Sequence, residues 1–377
     1  MMAYDGVTIL DFTAYQLGPL GTMLLADLGA NVIKVEPPRG EMGRRIFTDE
    51  TGFSGFFESL NRGKKSIVLD LKEEADRERA LRLVEKVDVV TENFASGTMD
   101  AFGLGYEAVS ERNPRIVYVS ATGFGPRGPL ASAPGFDATA QAFSGLMDAQ
   151  SAGPEAPPSP MLYGLADSVG GLMFSHAVSI GLLSRERSGR GMKIDVSLIG
   201  SLLFIQSPNV VETLSIGRQP YMKMRLFPTF GPYLCADGKW LMLASVNPKE
   251  WKAICQAIER EDLFEDAEMA SSRWRSAHGD QVEPLLEEAF AGRDREHWLE
   301  LLTEGDVPCA PVLEYVDLPG QEQILANAYL TQVEHREKGP VHVVPAPFTF
   351  SEPREHTFEP APQLGADTET ILEWASE

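Results

Sequence analysis

Cysteine is scarce in this chain of 377 residues: Cys235, Cys255 and Cys309 are the whole complement. They form no CxxC pair, and no histidine stands near them at ligand spacing. A disulfide framework and a zinc site are therefore not expected, and no metal is assigned. Three reduced thiols in a cytoplasmic protein is the expected state. Positive charge is also short, with 33 Lys and Arg against 55 Asp and Glu, a formal net charge of −22. Such a surface repels phosphate backbones, so nucleic acid is excluded as a partner, and any anionic ligand must find a local basic patch. Long apolar runs are missing: nothing approaches the ~20 residues that cross a bilayer. The nearest stretch, Val169–Leu183, contains His176 and several glycines and serines and runs into Arg185 and Arg187. It is expected to be a buried helix, so no membrane partner is assigned. The opening MMAYDGVTILDF has neither a basic nor a long apolar segment, so no signal peptide is expected. The first strand–turn–helix reads TAYQLGPLG at its turn and lacks the GxGxxG that admits a dinucleotide pyrophosphate. A GxSxG elbow is absent, and the six histidines show no triad spacing.

What is present is globular composition, 43% apolar and 23% charged, in a length that suits one large domain or two ordinary ones. Short apolar strands alternate with helical patterns through the first half: Val7–Phe12, Val32–Val35, Ser66–Leu71, Val87–Thr91, Arg115–Ser120 and Met192–Leu198. This alternation predicts an α/β fold with a parallel sheet between helices. A hairpin turning at Asp237-Gly238 and helical patterns from Pro248 to Glu304 predict a smaller α+β domain in the middle of the chain.

Four sites invite a chemical reading beside a plain one. Asp167, in GLADSVGG before a small-residue helix, is by itself most simply an N-cap. The same position suits a covalent nucleophile, since a helix N-terminus favours the ionised carboxylate. Gln16, polar among Tyr15, Leu17 and Pro19, is most simply a turn residue bonding its own backbone. Arg44, Arg45, Arg62, Lys64, Lys65 and Lys72 are mostly a solvated surface on the plain reading, yet phosphates would need such a cluster. Asn93-Phe94 offers an amide and an aromatic face to an adenine or pantetheine. His176, inside an apolar helix, reads as a core histidine.

The segments LDFTAYQLGPLGTMLLADLGANVIKVEPPRGEMGRR, NRGKKSIVLDLK, VDVVTENFASGTMDAFGLGY, PGFDATAQAFSGLM, LADSVGGL and APQLGADTETIL, in this order, resemble the class III CoA-transferase (CaiB/BaiF) family from Gly6 to the end. The resemblance implies a large Rossmann-like domain built from both chain ends, residues 1–200 and 325–377, and a smaller α+β domain at 220–310. Residues 201–219 and 311–324 would link them, and two chains would interlock as a homodimer. It implies transfer of CoA from an acyl-CoA to a carboxylic acid through aspartyl anhydride and aspartyl-CoA thioester intermediates. No cofactor is held permanently, because the CoA thioester is itself the substrate. By position, Asp167 matches the nucleophile and Gln16 a glutamine beside the reacting carbonyl. Tyr15, Leu17, Arg44, Leu69, Lys72, Asn93, Phe94 and Thr98 match CoA contacts. Phe136, Asp137 and Arg225 are expected at the substrate pocket, Arg225 as a fork for an acceptor carboxylate. Pro37 and Ala101 stand where relatives carry CoA-touching arginines, and no glycine-rich covering loop is found at Ala244–Glu250. Two alternatives remain: a 2-methylacyl-CoA racemase of the same family, disfavoured because Gly135-Phe136-Asp137 replaces a GHD triplet and phenylalanine moves no proton, and a non-catalytic CoA-ester-binding subunit.

Overall fold

The computed structural model describes residues 2–162, 164–351 and 358–377. Two compact units divide the chain, one comprising Met1–Tyr221 and Glu322–Glu377, the other Met222–Gln321.

The first unit is organised by six strands: β1 (Thr8–Asp11), β2 (Asn31–Glu36), β3 (Lys65–Val68), β4 (Val89–Glu92), β5 (Val117–Thr122) and β6 (Met192–Ser197). Every pairing is parallel, in the order β3-β2-β1-β4-β5-β6. Sheets of this kind are covered on both faces, which is why the strands read as mostly apolar, with the few polar residues among them paired inside. Ile9, Val89, Val117 and Val119 point into one core; Leu10, Ile33, Ile67, Val90 and Tyr118 point into the other. Strand order reverses between β1 and β4, so their carboxyl ends open a crevice, the usual ligand site of an open α/β sheet.

Two helices close one face beside that crevice. The first helix, Leu17–Asp27, follows β1 directly. The long helix, Leu165–Ser188, packs against it. Their axes come close because glycines face each other: a Cβ on Gly21 would sit 2.8 Å from the carbonyl oxygen of Gly171. By length and composition the long helix could cross a membrane, but Phe174, Ala177, Val178 and Leu182 are core residues, as expected for a buried helix.

The sheet carries an internal charge network. Asp11, fully buried, accepts from Thr13 and Thr22 hydroxyls and pairs with the equally buried Lys64 at 3.1 Å. Burial alone would raise the Asp11 pKa, but Lys64 and Lys34 with the two hydroxyls bring it down to about 2. Arg62 is likewise buried against Asp27. Arg62 and Lys64, two members of the basic group considered for phosphates, are thus committed inside the fold, whereas Arg45, Lys65 and Lys72 are exposed.

Residues 201–219, expected as a linker, are instead mostly helical, in Leu198–Ile205 and Ser207–Ile216. The chain returns to the first unit near its end. An antiparallel hairpin, Thr331–His335 with Gly339–Val343, precedes a final helix, Thr368–Trp374. Asp367 accepts from Ser66 N–H and the Thr368 hydroxyl accepts from Val68 N–H, so both bond the outer side of β3. The second unit is a three-stranded antiparallel sheet, β7 (Phe230–Leu234), β8 (Trp240–Ala244) and β9 (Cys309–Pro311). Helices Pro248–Ala257, Gly279–Phe290 and Arg295–Glu304 supply its core with Trp251, Phe290 and Trp298.

Candidate active site

A cavity of about 480 Å³ opens at the switch point. It is lined by the loop after β1 (Ala14–Leu17), the loop after β4 (Asn93–Ser96), the end of β5 with Gly123, the stretch Ala131–Phe136, Ile46, Phe47 and Phe56, and Asp167.

The loop after β1 is held on three sides. Lys34, fully buried, donates to Thr13 O at 2.8 Å and lies 3.4 Å from Glu41. Glu41 in turn accepts from Tyr15 N–H. Asn93 bonds both backbone groups of Ala14, accepting from N–H at 2.8 Å and donating to the carbonyl at 2.7 Å. Tyr15 therefore keeps a left-handed backbone, φ 65°, that a tyrosine rarely adopts. Asn93 is thus a clamp between the two switch-point loops, its amide already committed. Sequence reading offered that amide to the ligand and missed Lys34 and Glu41 altogether.

Gln16 does not bond its own turn. Its amide nitrogen crosses to the long helix, donating to Gly164 O at 3.1 Å and Ser168 Oγ at 3.0 Å. Gly164 starts that helix with φ 78°, and a Cβ there would lie 2.4 Å from the Gln16 side chain. Glycine is needed for the conformation and for the approach.

Asp167 is the third residue of the long helix, not its N-cap. The first-turn N–H groups serve Asp137 instead: its Oδ1 accepts from Ala166 N–H at 2.6 Å and, more weakly, from Asp167 N–H at 3.4 Å. Its other oxygen accepts from Gln141. Asp137 is thus a helix cap and not a cavity-lining residue. Because it has taken the donors, the helix end does not favour an ionised Asp167 as expected. Burial and the Asp137 charge push the Asp167 carboxyl up to about 7. A carboxylate that is desolvated and repelled is a stronger nucleophile than a solvated one, once ionised.

The structure thus gathers Tyr15, Gln16, Leu17, Asn93, Phe94, Phe136 and Asp167 around one cavity. Others expected from sequence lie elsewhere. Leu69 is a core residue, Thr98 starts a short helix beyond the β4 loop, and Lys72 is exposed. Arg44 makes a bidentate pair with buried Glu36, donates to Pro362 O and covers Phe57, beside a separate cavity with His335 and Glu58. Arg225 belongs to the second unit. There it is buried over Tyr233 and paired with Glu283 and Glu287 through one nitrogen, while another donates to Pro232 O. A guanidinium so occupied is no fork for an acceptor carboxylate. Among the described residues no cluster of three or more metal-ligating side chains occurs.

A doubly wound sheet with a ligand crevice at its switch point, a half-buried carboxylate on the crevice wall and no dinucleotide loop defines an α/β protein with a small-molecule site. Known proteins agree on the class. Residues 4–368 match CoA-transferase family III. The chain is 36% identical over 332 residues to an acetyl-CoA:oxalate CoA-transferase of Acetobacter aceti, covering 87% of this chain and 85% of that one. It is 38% identical to a succinyl-CoA:mesaconate CoA-transferase of Haloarcula hispanica, covering 89% and 86%. A crystal structure of a CaiB/BaiF family protein from Brucella suis superposes with a TM-score of 0.89 at 29% identity, over 99% of both chains. The chain belongs to CoA-transferase family III and is an enzyme of the CoA-transferase class.

Proposed function

We propose that the protein moves CoA from an acyl-CoA to a carboxylic acid, with Asp167 as the covalent nucleophile. The position of that carboxylate, desolvated at the wall of the switch-point cavity, carries the reading. Ionised Asp167 attacks the donor thioester carbonyl, the C–S bond breaks, and an aspartyl anhydride and CoA thiolate form. The thiolate attacks the aspartyl carbon of the anhydride, leaving an aspartyl-CoA thioester and the free donor acid. The acceptor carboxylate then attacks that thioester, and the two steps run in reverse. One thioester is made for each one broken, so no nucleotide is hydrolysed. Gln16 ties the first turn of the long helix to the β1 loop. To stabilise a carbonyl oxygen it would give up its bond to Ser168 as charge develops.

Racemisation needs two groups that exchange protons on opposite faces of a carbon. Among the described residues lining the cavity Asp167 has no histidine, lysine or second carboxylate facing it as a proton partner, which supports transfer. Lys72 and Thr98, outside the cavity, are proposed for the distal half of CoA, and the cytoplasm is proposed from three free cysteines. A homodimer is proposed as the working form. Helices Leu198–Ile205 and Ser207–Ile216 expose Phe204, Leu214 and Ile216, an apolar face that a second copy would cover. The test of the reaction is chemical trapping. Acyl-CoA without acceptor should load Asp167, hydroxylamine should convert the aspartyl anhydride or thioester to an aspartyl hydroxamate, and peptide mapping should find it there. An adduct on any other residue, or transfer at the native rate by Asp167→Asn, refutes the assignment.

A further inference from the structure

Among the described residues of the first unit, three non-glycines adopt left-handed backbone: Tyr15, Phe47 (φ 50°) and Ala328. That conformation crowds the Cβ of an L-residue, and a bulky side chain there is held against preference. Two of the three are aromatic, and both line the Asp167 cavity. Phe47 is 85% exposed, so packing within the chain does not account for it. Strain kept at an exposed aromatic points to a ligand that uses the ring. The rings are also paired: Phe47 meets Phe56 edge-to-face at 6.3 Å, and Tyr15 meets Phe136 at 6.2 Å.

Charge gives an independent observation. Asp167 is the one charged side chain among the described residues lining the cavity, and no lysine, arginine or histidine joins it. Of the two arginines before Ile46 and Phe47, Arg44 is spent on Glu36, and the exposed Arg45 donates to Arg39 O and does not line the cavity. A second carboxylate on the acyl group would enter a desolvated space beside an anion with no cation to meet it. The same cavity is also lined by Asn93–Ser96 and Ala121–Gly123, where Phe94 stands among mostly small side chains, a lining that suits an amide-bearing pantetheine arm.

We propose that the acyl group handled at Asp167 is apolar, an alkyl or aryl monocarboxylate, packed between the Phe47–Phe56 and Tyr15–Phe136 pairs. The proposal rests on the CoA-transfer reading above, and it departs from the dicarboxylates in the names of the two curated relatives.

Identity exchange tests it without knowledge of the natural pair of acids. Unlabelled acyl-CoA is mixed with its own ¹³C-labelled acid, and labelled acyl-CoA is read by mass spectrometry. The thioester broken equals the thioester formed, and no proton or electron is left over. The full chain is given hexanoyl-CoA, benzoyl-CoA or succinyl-CoA with the matching acid. The kcat/KM for hexanoyl or benzoyl exchange should exceed that for succinyl exchange at least about tenfold. Phe47→Ala, at a residue the folded chain leaves exposed, should lower the favoured exchange about tenfold while changing succinyl exchange less than about twofold. Phe47→Arg should narrow or reverse the preference. Succinyl exchange equal to or faster than both others overturns the proposal and leaves CoA transfer standing. So does a Phe47→Ala variant that slows all three alike. Absence of all three exchanges, with no hydroxamate formed at Asp167 by hydroxylamine, overturns both.

Discussion

Replacing Asp167 by asparagine should make the protein more stable while abolishing transfer. The folded state holds a proton on Asp167 up to about pH 7, whereas an ordinary aspartyl carboxyl releases it near 3.8. A group raised in this way costs the folded state stability that appears as pH climbs from about 4 to about 7 and is complete above it. At about 1.4 kcal/mol per tenfold change, the limiting cost is about 4 kcal/mol. Asp167 is only half-buried, so solvent screens part of this and about 2 kcal/mol is the working figure. Asparagine keeps the shape and cannot ionise. Urea denaturation of native and variant protein from pH 4.5 to 8.5 measures the difference. The advantage of Asp167→Asn should be smallest at the acid end, grow through pH 6 and level off above pH 7.5. In thermal scans the shift should be a few degrees, given roughly 2–4 °C per kcal/mol for units of moderate size. A variant less stable at pH 8, or an advantage that does not vary with pH, would show that Asp167 is not held in a desolvated, repelled state.

Three further outcomes follow from the same geometry. Asp137→Asn keeps an oxygen for the Ala166 N–H but removes the charge facing Asp167, so the acid limb of the kcat/KM profile should move below pH 7; an unmoved limb would leave burial as the sole cause. Lys64→Ala strands the buried Asp11 carboxylate and should cost about 3–5 kcal/mol in denaturant unfolding; a loss under about 1 kcal/mol would mean water reaches Asp11. Lys72→Ala should raise KM for acyl-CoA with little change in kcat, the mark of uniform binding; unchanged kinetics would remove Lys72 from the CoA path.

The parallel sheet was legible because strands buried on both faces are mostly apolar, and the runs from Val7 to Leu198 are short and separated by helical periodicity. The residues around the cavity were legible in part. Tyr15, Gln16 and Asn93 follow strand ends, where an open sheet places ligands. Their partners were not legible, because the pairs are far apart in sequence. Gln16 meets Gly164, Asn93 meets Ala14 and Arg225 meets Glu287 only once the chain has folded. The same limit hid Asp137, which reads locally as a member of a triplet and acts as a cap for a helix that begins after Gly164. Phe47 carried no signal at all: nothing in GRRIFTDE marks a residue with positive φ.

The bonds that Asp367 and Thr368 make to the outer side of β3 have a bearing on how the protein is made. A ribosome that has delivered residues through Gln321 has released every strand of the six-stranded sheet, yet β3 still presents bare N–H groups at Ser66 and Val68. Exposed strand edges of this kind invite pairing with other chains. The growing polypeptide must carry that unfinished margin through synthesis of the entire second unit before its last residues cover it. Chains truncated near the C-terminus should therefore be lost to aggregation even though Asp167, Gln16 and the crevice around them lie wholly upstream.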